Sequence, residues 1–174
     1  MSRIDYDLTL IRGIAFDVDG VLSPSTIPMA PDGMPMRMVN IKDGYAMQLA
    51  VKCGIDMAII TGADANAIAV RYNALGIKDV YLKAAHKVPL LNDWMKRHGL
   101  KREEVAYVGD DIPDMEAMKI VGLKVCPDDA ATDIRMMADY ISPVKGGYGV
   151  ARDLLEQVLR ARGQWMSDEK AFGW

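Results

Sequence analysis

Cysteines and long apolar runs are scarce in this chain of 174 residues. Cys53 and Cys126 stand alone, each in apolar surroundings, which excludes a disulfide-stapled scaffold and leaves both as buried thiols of a reducing compartment. No apolar stretch is long enough to cross a bilayer, and Met1 to Leu10 alternates polar and apolar residues without the hydrophobic region of a secretion signal. The expectation is a cytoplasmic protein with no membrane partner. An excess of positive charge is also missing. The 21 Lys and Arg against 24 Asp and Glu leave a net charge of −3, which argues against nonspecific nucleic-acid binding. What is present, 51% hydrophobic and 26% charged residues, suits a globular protein, and the length suits a single domain, 1–174, with a substantial core.

Short β-type runs alternate with amphipathic stretches. The runs are Ile11–Phe16, Asp56–Ile60, Val80–Leu82, Val105–Val108, Leu123–Cys126 and Tyr140–Ile141. Helical periodicity marks Tyr45–Lys52, Ala65–Leu75, Val88–His98, Asp114–Val121, Asp129–Ala138 and Val150–Arg162. Gly54, Gly76, Gly99, Gly122 and Gly163 each follow a last helical residue, as left-handed helix stops do, and Pro89 and Pro113 sit near helix starts. Such alternation predicts βαβ units in an α/β fold with a doubly wound parallel sheet, whose ligands bind beyond the carboxyl ends of the strands. Asp17, Thr61 and Asp110 fall at such ends.

One stretch breaks the pattern. Residues 23–41 carry Pro24, Pro28, Pro31 and Pro35 around a turn signal, Ala30-Pro31-Asp32-Gly33-Met34, and read as a β-hairpin projecting from the first crossover. Ile27, Met29, Met34, Met36, Met38 and Val39 give it more apolar surface than a solvated hairpin needs, which predicts a subunit interface. The tail, 163–174, holds Trp165, Phe172 and Trp174 with little helical or strand signal.

The chemistry is concentrated in four places. Asp17-Val18-Asp19-Gly20 follows the first strand, and two carboxylates at a buried strand end are costly unless a cation or substrate needs them. Gly20 permits a sharp turn and a close approach. Thr61-Gly62, Lys87 and Gly109-Asp110-Asp111-Ile112-Pro113-Asp114 fall at later strand ends or nearby loops. In phosphoryl transfer Asp17 can attack phosphorus, and Asp19 can protonate the leaving alcohol and later deprotonate water. Thr61 and the Gly62 N–H can hold phosphate oxygens, and Lys87 can balance the charge of phosphate and nucleophile. Clustered carboxylates beside a phosphate call for Mg²⁺.

These four motifs resemble those of the haloacid dehalogenase superfamily of phosphatases over nearly the whole chain. The resemblance implies Asp17 as nucleophile, Asp19 as acid and base, Mg²⁺ held by Asp17, the Asp19 carbonyl and Asp110, and Asp111 and Asp114 in a supporting role. No cap domain fits between Lys87 and Asp110, and the earlier insertion has room only for the hairpin. Further stretches are similar to the capless, tetrameric 3-deoxy-manno-octulosonate (KDO) 8-phosphate phosphatases of lipopolysaccharide synthesis: Asn40-Ile41-Lys42-Asp43-Gly44, Arg71 before Leu75-Gly76-Ile77, and Gly146-Gly147-Tyr148-Gly149-Val150-Ala151-Arg152. That resemblance implies substrate contacts from Asn40, Ile41, Lys42, Asp43, Gly44, Arg71 and Lys87, besides Asp19, Thr61 and Gly62. It also implies a homotetramer with the hairpin and tail at its interfaces, the tail over a neighbour's site. Ala63 and Gln48 stand where many members carry arginine, which leaves a nine-carbon sugar-acid phosphate, of the KDN or sialic-acid type, as the alternative substrate.

A phosphoacceptor signalling domain also places Asp, Thr and Lys at strand ends. There the order is acidic pair, acceptor Asp, Thr, Lys. Here Lys87 precedes Asp110 and the nucleophile lies in the first motif, so the order favours the phosphatase.

Overall fold

The computed structural model describes residues 3–173. Six strands, β1 (Gly13–Phe16), β2 (Asp56–Ile60), β3 (Asp79–Tyr81), β4 (Val105–Val108), β5 (Leu123–Cys126) and β6 (Tyr140–Ile141), form one sheet in the order β3-β2-β1-β4-β5-β6. Every pairing is parallel. Helices α1 (Ile41–Lys52), α2 (Asn66–Ala74), α3 (Lys87–Arg97), α4 (Met115–Lys119), α5 (Thr132–Met137) and α6 (Val150–Ala161) cross between strands or follow the last. The doubly wound α/β expectation holds, with the hairpin and no inserted cap among the described residues.

The strands alternate their apolar residues between two cores because neighbouring side chains point to opposite faces. Ile14, Phe16, Met57, Ile59, Ala106 and Val108 pack with α1, α2 and α6. Ala15, Ala58, Ile60, Val105 and Tyr107 pack with α3, α4 and α5 on the other side. A sheet covered on both faces explains strands that read as continuous apolar runs.

Several boundaries move, each for a local reason. Helix α1 begins at Ile41 rather than Tyr45 because Asn40 caps it, its Oδ1 accepting from the N–H groups of Lys42 (2.9 Å) and Asp43 (3.3 Å). The stretch from Ile41 to Gly44 is thus the first turn of a helix. Helix α5 starts at Thr132 because Asp129 is held outside it, accepting from the Gly146 N–H at 2.8 Å. Helix α4 is shorter than expected and follows a 3₁₀ turn at Ile112–Asp114. Gly54, Gly76, Gly99 and Gly163 are left-handed stops, but Gly122 is not. It is a close approach: a Cβ there would lie 2.4 Å from the Tyr6 hydroxyl and 2.8 Å from Glu103 Cα.

The hairpin is pared to one antiparallel bridge, Met29 with Pro35, closed by backbone bonds from Ala30 to Met34 and from Met36 to Pro28, both 2.8 Å. Met29, Met34, Met36, Met38 and Val39 are exposed. The tail folds back onto its own α1 and α6, where Trp165 packs edge-on to Tyr45 and under the Arg152 guanidinium, 4.5 Å from its ring centre. Tyr45 donates to the Ala171 carbonyl, and Lys52 donates to that of Gly173 at 2.9 Å. Trp174 lies outside the described residues. Both cysteines are free thiols, Cys126 fully buried and Cys53 half-buried.

Candidate active site

The reversal of strand order falls between β1 and β4, which run side by side with Phe16 opposite Val108. The residues that follow them are therefore neighbours, as doubly wound sheets dictate at a switch point. Asp17 leaves β1 there, its N–H donating to the Val108 carbonyl at 3.0 Å, and Gly109-Asp110 leaves β4. Thr61 leaves β2 at the same edge, and Lys87 opens α3 after β3. Asp17, Thr61, Lys87 and Asp110 line a cavity of about 510 Å³ that also takes in Asp19, Gly62, Asp111 and Asp114.

Lys87 is the hub. Only 6% exposed, it donates to Asp17 Oδ2 at 2.8 Å and to Asp114 Oδ1 at 2.7 Å. Burial alone would lower its pKa, but the charges of Asp114 and Asp17 and the bonds to both raise it, so it stays an ammonium. Asp114 is fully buried and fully engaged: Oδ1 also accepts from the Tyr107 hydroxyl (2.8 Å), and Oδ2 from the N–H groups of Asp110 (3.0 Å) and Asp111 (3.4 Å). Asp17 Oδ1 accepts from the Val18 N–H at 2.6 Å. One lysine thus serves two carboxylates, and a third, Asp110, accepts no hydrogen bond among the described residues.

That shortage of positive charge is visible in the acids. Burial and the Asp114 charge push the Asp17 carboxyl up, against the pull of Lys87 and the Val18 N–H. Burial, then the charges of Asp114, Asp17 and Asp111, push Asp110 up to about 8. Oxygens of Asp17, Asp110 and Asp114 lie within 4.8 Å of one another. Hard carboxylate oxygens so placed, and charge-starved, suit a divalent cation with oxygen preference. Asp114 is spent on Lys87 and Tyr107, so Asp17 and Asp110 are the carboxylates left to a cation. Gly20 makes room for this: its φ is +82°, and a Cβ there would sit 1.9 Å from Asp110 Oδ2.

The other expected residues divide. Thr61 is buried, its Oγ1 accepting from the Ala63 N–H at 3.2 Å, which leaves the hydroxyl hydrogen free to donate into the cavity. Asp19 lies in the cavity wall with its carboxylate turned to the hairpin, where Arg37 holds it by two bonds of 2.7 Å. Arg71 lines a separate cavity of about 280 Å³ with Arg37, Val18 and Tyr72. The turn Asn40–Gly44 does not line the catalytic cavity of this chain. Its Asp43 is buried, accepts from the Arg152 N–H at 2.7 Å, and is pushed up to about 6 by burial against that bond and the Arg152 charge. Gly44 packs against the Arg71 guanidinium.

Two residues escaped the sequence reading. Tyr107 carries a hydroxyl inside an otherwise apolar strand, and Arg37 is a lone cation between two methionines. Both were signals, since a polar atom in a buried run needs a partner and a cation on an apolar hairpin needs a carboxylate.

Fold and site together define an aspartate-centred hydrolase on a doubly wound sheet. The chain belongs to the family of haloacid dehalogenase-like hydrolases, whose family model matches residues 38–154. It is 37% identical over 154 residues to a 3-deoxy-D-manno-octulosonate 8-phosphate phosphatase of Escherichia coli K12, covering 88% of this chain and 82% of that one. The crystal structure of the phosphatase of that name from Yersinia pestis superimposes with a TM-score of 0.87 at 34% identity, over 91% of this chain and 85% of the other. A structure from Moraxella catarrhalis, in complex with magnesium ion, phosphate ion and KDO, matches with a TM-score of 0.85 at 30% identity, over 90% of each chain.

Proposed function

We propose that this chain is a Mg²⁺-dependent phosphatase that hydrolyses KDO 8-phosphate to KDO and phosphate. The observation that carries the chemistry is the placement of Asp17 between Lys87 and Asp110, which accepts no hydrogen bond among the described residues, in the wall of one cavity. The substrate is supported by the relatives, named for it over most of their length.

Asp17 attacks phosphorus, a P–O bond forms to its carboxylate, and the bond to the sugar oxygen breaks. Asp19 gives that oxygen its proton, so the alcohol leaves neutral. Asp19 then takes a proton from water as the water oxygen attacks the aspartyl-phosphate, releasing phosphate and restoring Asp17. Lys87 offsets charge on Asp17 and the phosphoryl oxygens throughout, and Thr61 with the Gly62 N–H orients them. Tyr107 and Asp114 hold Lys87 in place. Bound at Asp17, the Asp19 carbonyl and Asp110, Mg²⁺ supplies charge neutralisation for the crowded oxygens.

The chain works as a single catalytic domain in the cytoplasm, within lipopolysaccharide synthesis. It assembles as a homotetramer through the hairpin, whose exposed methionines are the supporting observation, with the tail, including the exposed Phe172, at the same interfaces. Asn40–Gly44 and Arg71 meet substrate in that assembly. Met36→Glu with Met38→Glu is expected to yield monomers with depressed turnover, and a fully active monomer would remove the assembly from the mechanism.

Phosphate release from KDO 8-phosphate, KDN 9-phosphate and simple sugar phosphates, with Mg²⁺ and after chelation, tests the proposal. The expected result is kcat/KM for KDO 8-phosphate at least about tenfold above the others and loss of turnover on chelation. A higher value for KDN 9-phosphate would move the chain to the nine-carbon substrate.

A further inference from the structure

The acid/base candidate and the hairpin are joined by one contact. Arg37 Nε donates to Asp19 Oδ1 and Nη2 to Oδ2, each at 2.7 Å, a fork on a carboxylate that is the strongest geometry open to this pair. The Arg37 side chain is 14% exposed and that of Asp19 is 42% exposed, so the acid faces the open cavity while the cation backs it. While both its oxygens are committed to the hairpin, the Asp19 carboxylate is not aimed at an ester oxygen on Asp17. A group that must reach the leaving oxygen is thus held elsewhere by a residue outside every recognised motif.

The cations near Asp19 are not equivalent. Lys87 is spent on two buried carboxylates, and neither can be released without leaving a buried charge. Among the described residues Arg37 has one hydrogen-bonding partner, and that partner is partly solvated. It stands between the catalytic cavity, which Asp19 lines, and the second cavity, which Arg37 itself lines with Arg71 and without any acidic residue. An incoming carboxylate can therefore replace that of Asp19 on the same fork, bond for bond, so Arg37 stays paired, while the released Asp19, being partly solvated, takes from solvent the proton it then gives to the ester oxygen.

We infer that Arg37 is a specificity-determining residue that trades Asp19 for the carboxylate of an acidic substrate, freeing Asp19 to turn to the ester oxygen. The trade makes turnover depend on a substrate group remote from phosphorus, since a neutral sugar phosphate offers nothing to displace Asp19. The sugar-acid part of this inference rests on the proposed function. The exchange itself requires only a phosphate ester that carries a carboxylate.

The test compares two substrate pairs that differ in carboxyl charge, KDO 8-phosphate with its methyl ester and 6-phosphogluconate with glucose 6-phosphate, on the Mg²⁺-loaded protein. The native enzyme is expected to favour the acid of a pair by at least about tenfold in kcat/KM, the scale of one charge-assisted fork. Arg37→Ala is expected to bring the ratio within about twofold, with kcat for the neutral ester rising because Asp19 is no longer held. Arg37→Lys, which keeps the charge and loses the fork, is expected to fall between the two and guards against a variant that unfolds. Equal losses on acid and neutral substrates in both variants would overturn the inference and leave Arg37 as a hairpin strut. A native enzyme blind to carboxyl charge would overturn it as well. Discrimination on the phosphogluconate pair without turnover of KDO 8-phosphate would sustain the role of Arg37 while removing the proposed substrate.

Discussion

The same sheet carries an acidic cluster at each end, and the two are built on opposite principles. At the amino end of β2 and β3, Asp56 and Asp79 bracket His98 at 3.0 and 2.8 Å, and Arg97 bonds Asp79 and Asp93 at 2.8 and 2.9 Å. Each carboxylate there has at least one partner and some contact with solvent, although His98 and Arg97 are both shared. Burial would raise the Asp79 pKa, but the bonds to Arg97 and His98 win and lower it. At the carboxyl end one lysine serves Asp17 and Asp114, Asp110 has no cation, and the carboxyls of Asp17 and Asp110 rise. Partnered, partly solvated carboxylates mark the end that holds the fold together. A desolvated carboxylate without a cation marks the end kept ready for a metal ion and a phosphate.

Substitution of the nucleophile separates the two ends most widely. Asp17→Asn is expected to lower kcat by at least about a thousandfold, because the attacking oxygen is lost. Its thermal midpoint should not fall, since a buried like charge is removed. Retained turnover would eliminate the covalent mechanism.

Removing the cation at each end comes next. Lys87→Met leaves two buried carboxylates facing each other and is expected to destabilise the fold by about 3–5 kcal/mol in urea titration. Arg97→Met, at a solvated pair, should barely move the urea midpoint. Equal shifts would mean that the catalytic end is no more frustrated than the other.

A pH series on metal-free protein sharpens the contrast further. Asp110, at about 8 in the fold against an ordinary 3.8, keeps a proton that the unfolded chain releases. Stability of the metal-free protein should therefore fall as pH rises between about 4 and 8, since the folded state binds more protons there. Asp79 has the opposite sign, and its contribution is lost on acidification through its lowered pKa. Saturating Mg²⁺ should remove most of the alkaline loss, read as a rise in melting temperature of at least about 3 °C at pH 8. A melting temperature indifferent to Mg²⁺ would take the metal away from these carboxylates.

The smallest effect is expected at His98. His98→Asn should cost a little stability and leave kcat/KM unchanged, because it lies at the far end of the strands from Asp17. A change in activity would show that the two ends communicate.

Much of this was legible in the residues. Apolar runs covered on both faces gave the strands, four of them to the residue, because a buried strand admits few polar atoms. The acids at Asp17 and Asp110 were legible because an unpaired charge after a buried strand has no structural excuse. The start of α1 was not, since a polar capped turn such as Asn40–Asp43 looks like a loop until its backbone donors are counted. Nor was the role of Gly122, which is no helix stop but answers to Tyr6 and Glu103, both distant in the chain.

The sequence by itself determined the alternation of strands and helices, the parallel sheet that follows from it, and the acids at its carboxyl edge, because periodicity and charge are local properties. Tertiary structure alone decided who shares whom. Lys87 lies between Asp17 and Asp114, Tyr107 under Asp114, and Arg37 on Asp19, each pair brought together by strands adjacent in space or by a hairpin folding back. A lysine or arginine in a sequence carries its charge with it, but the partner that sets its work is chosen by packing.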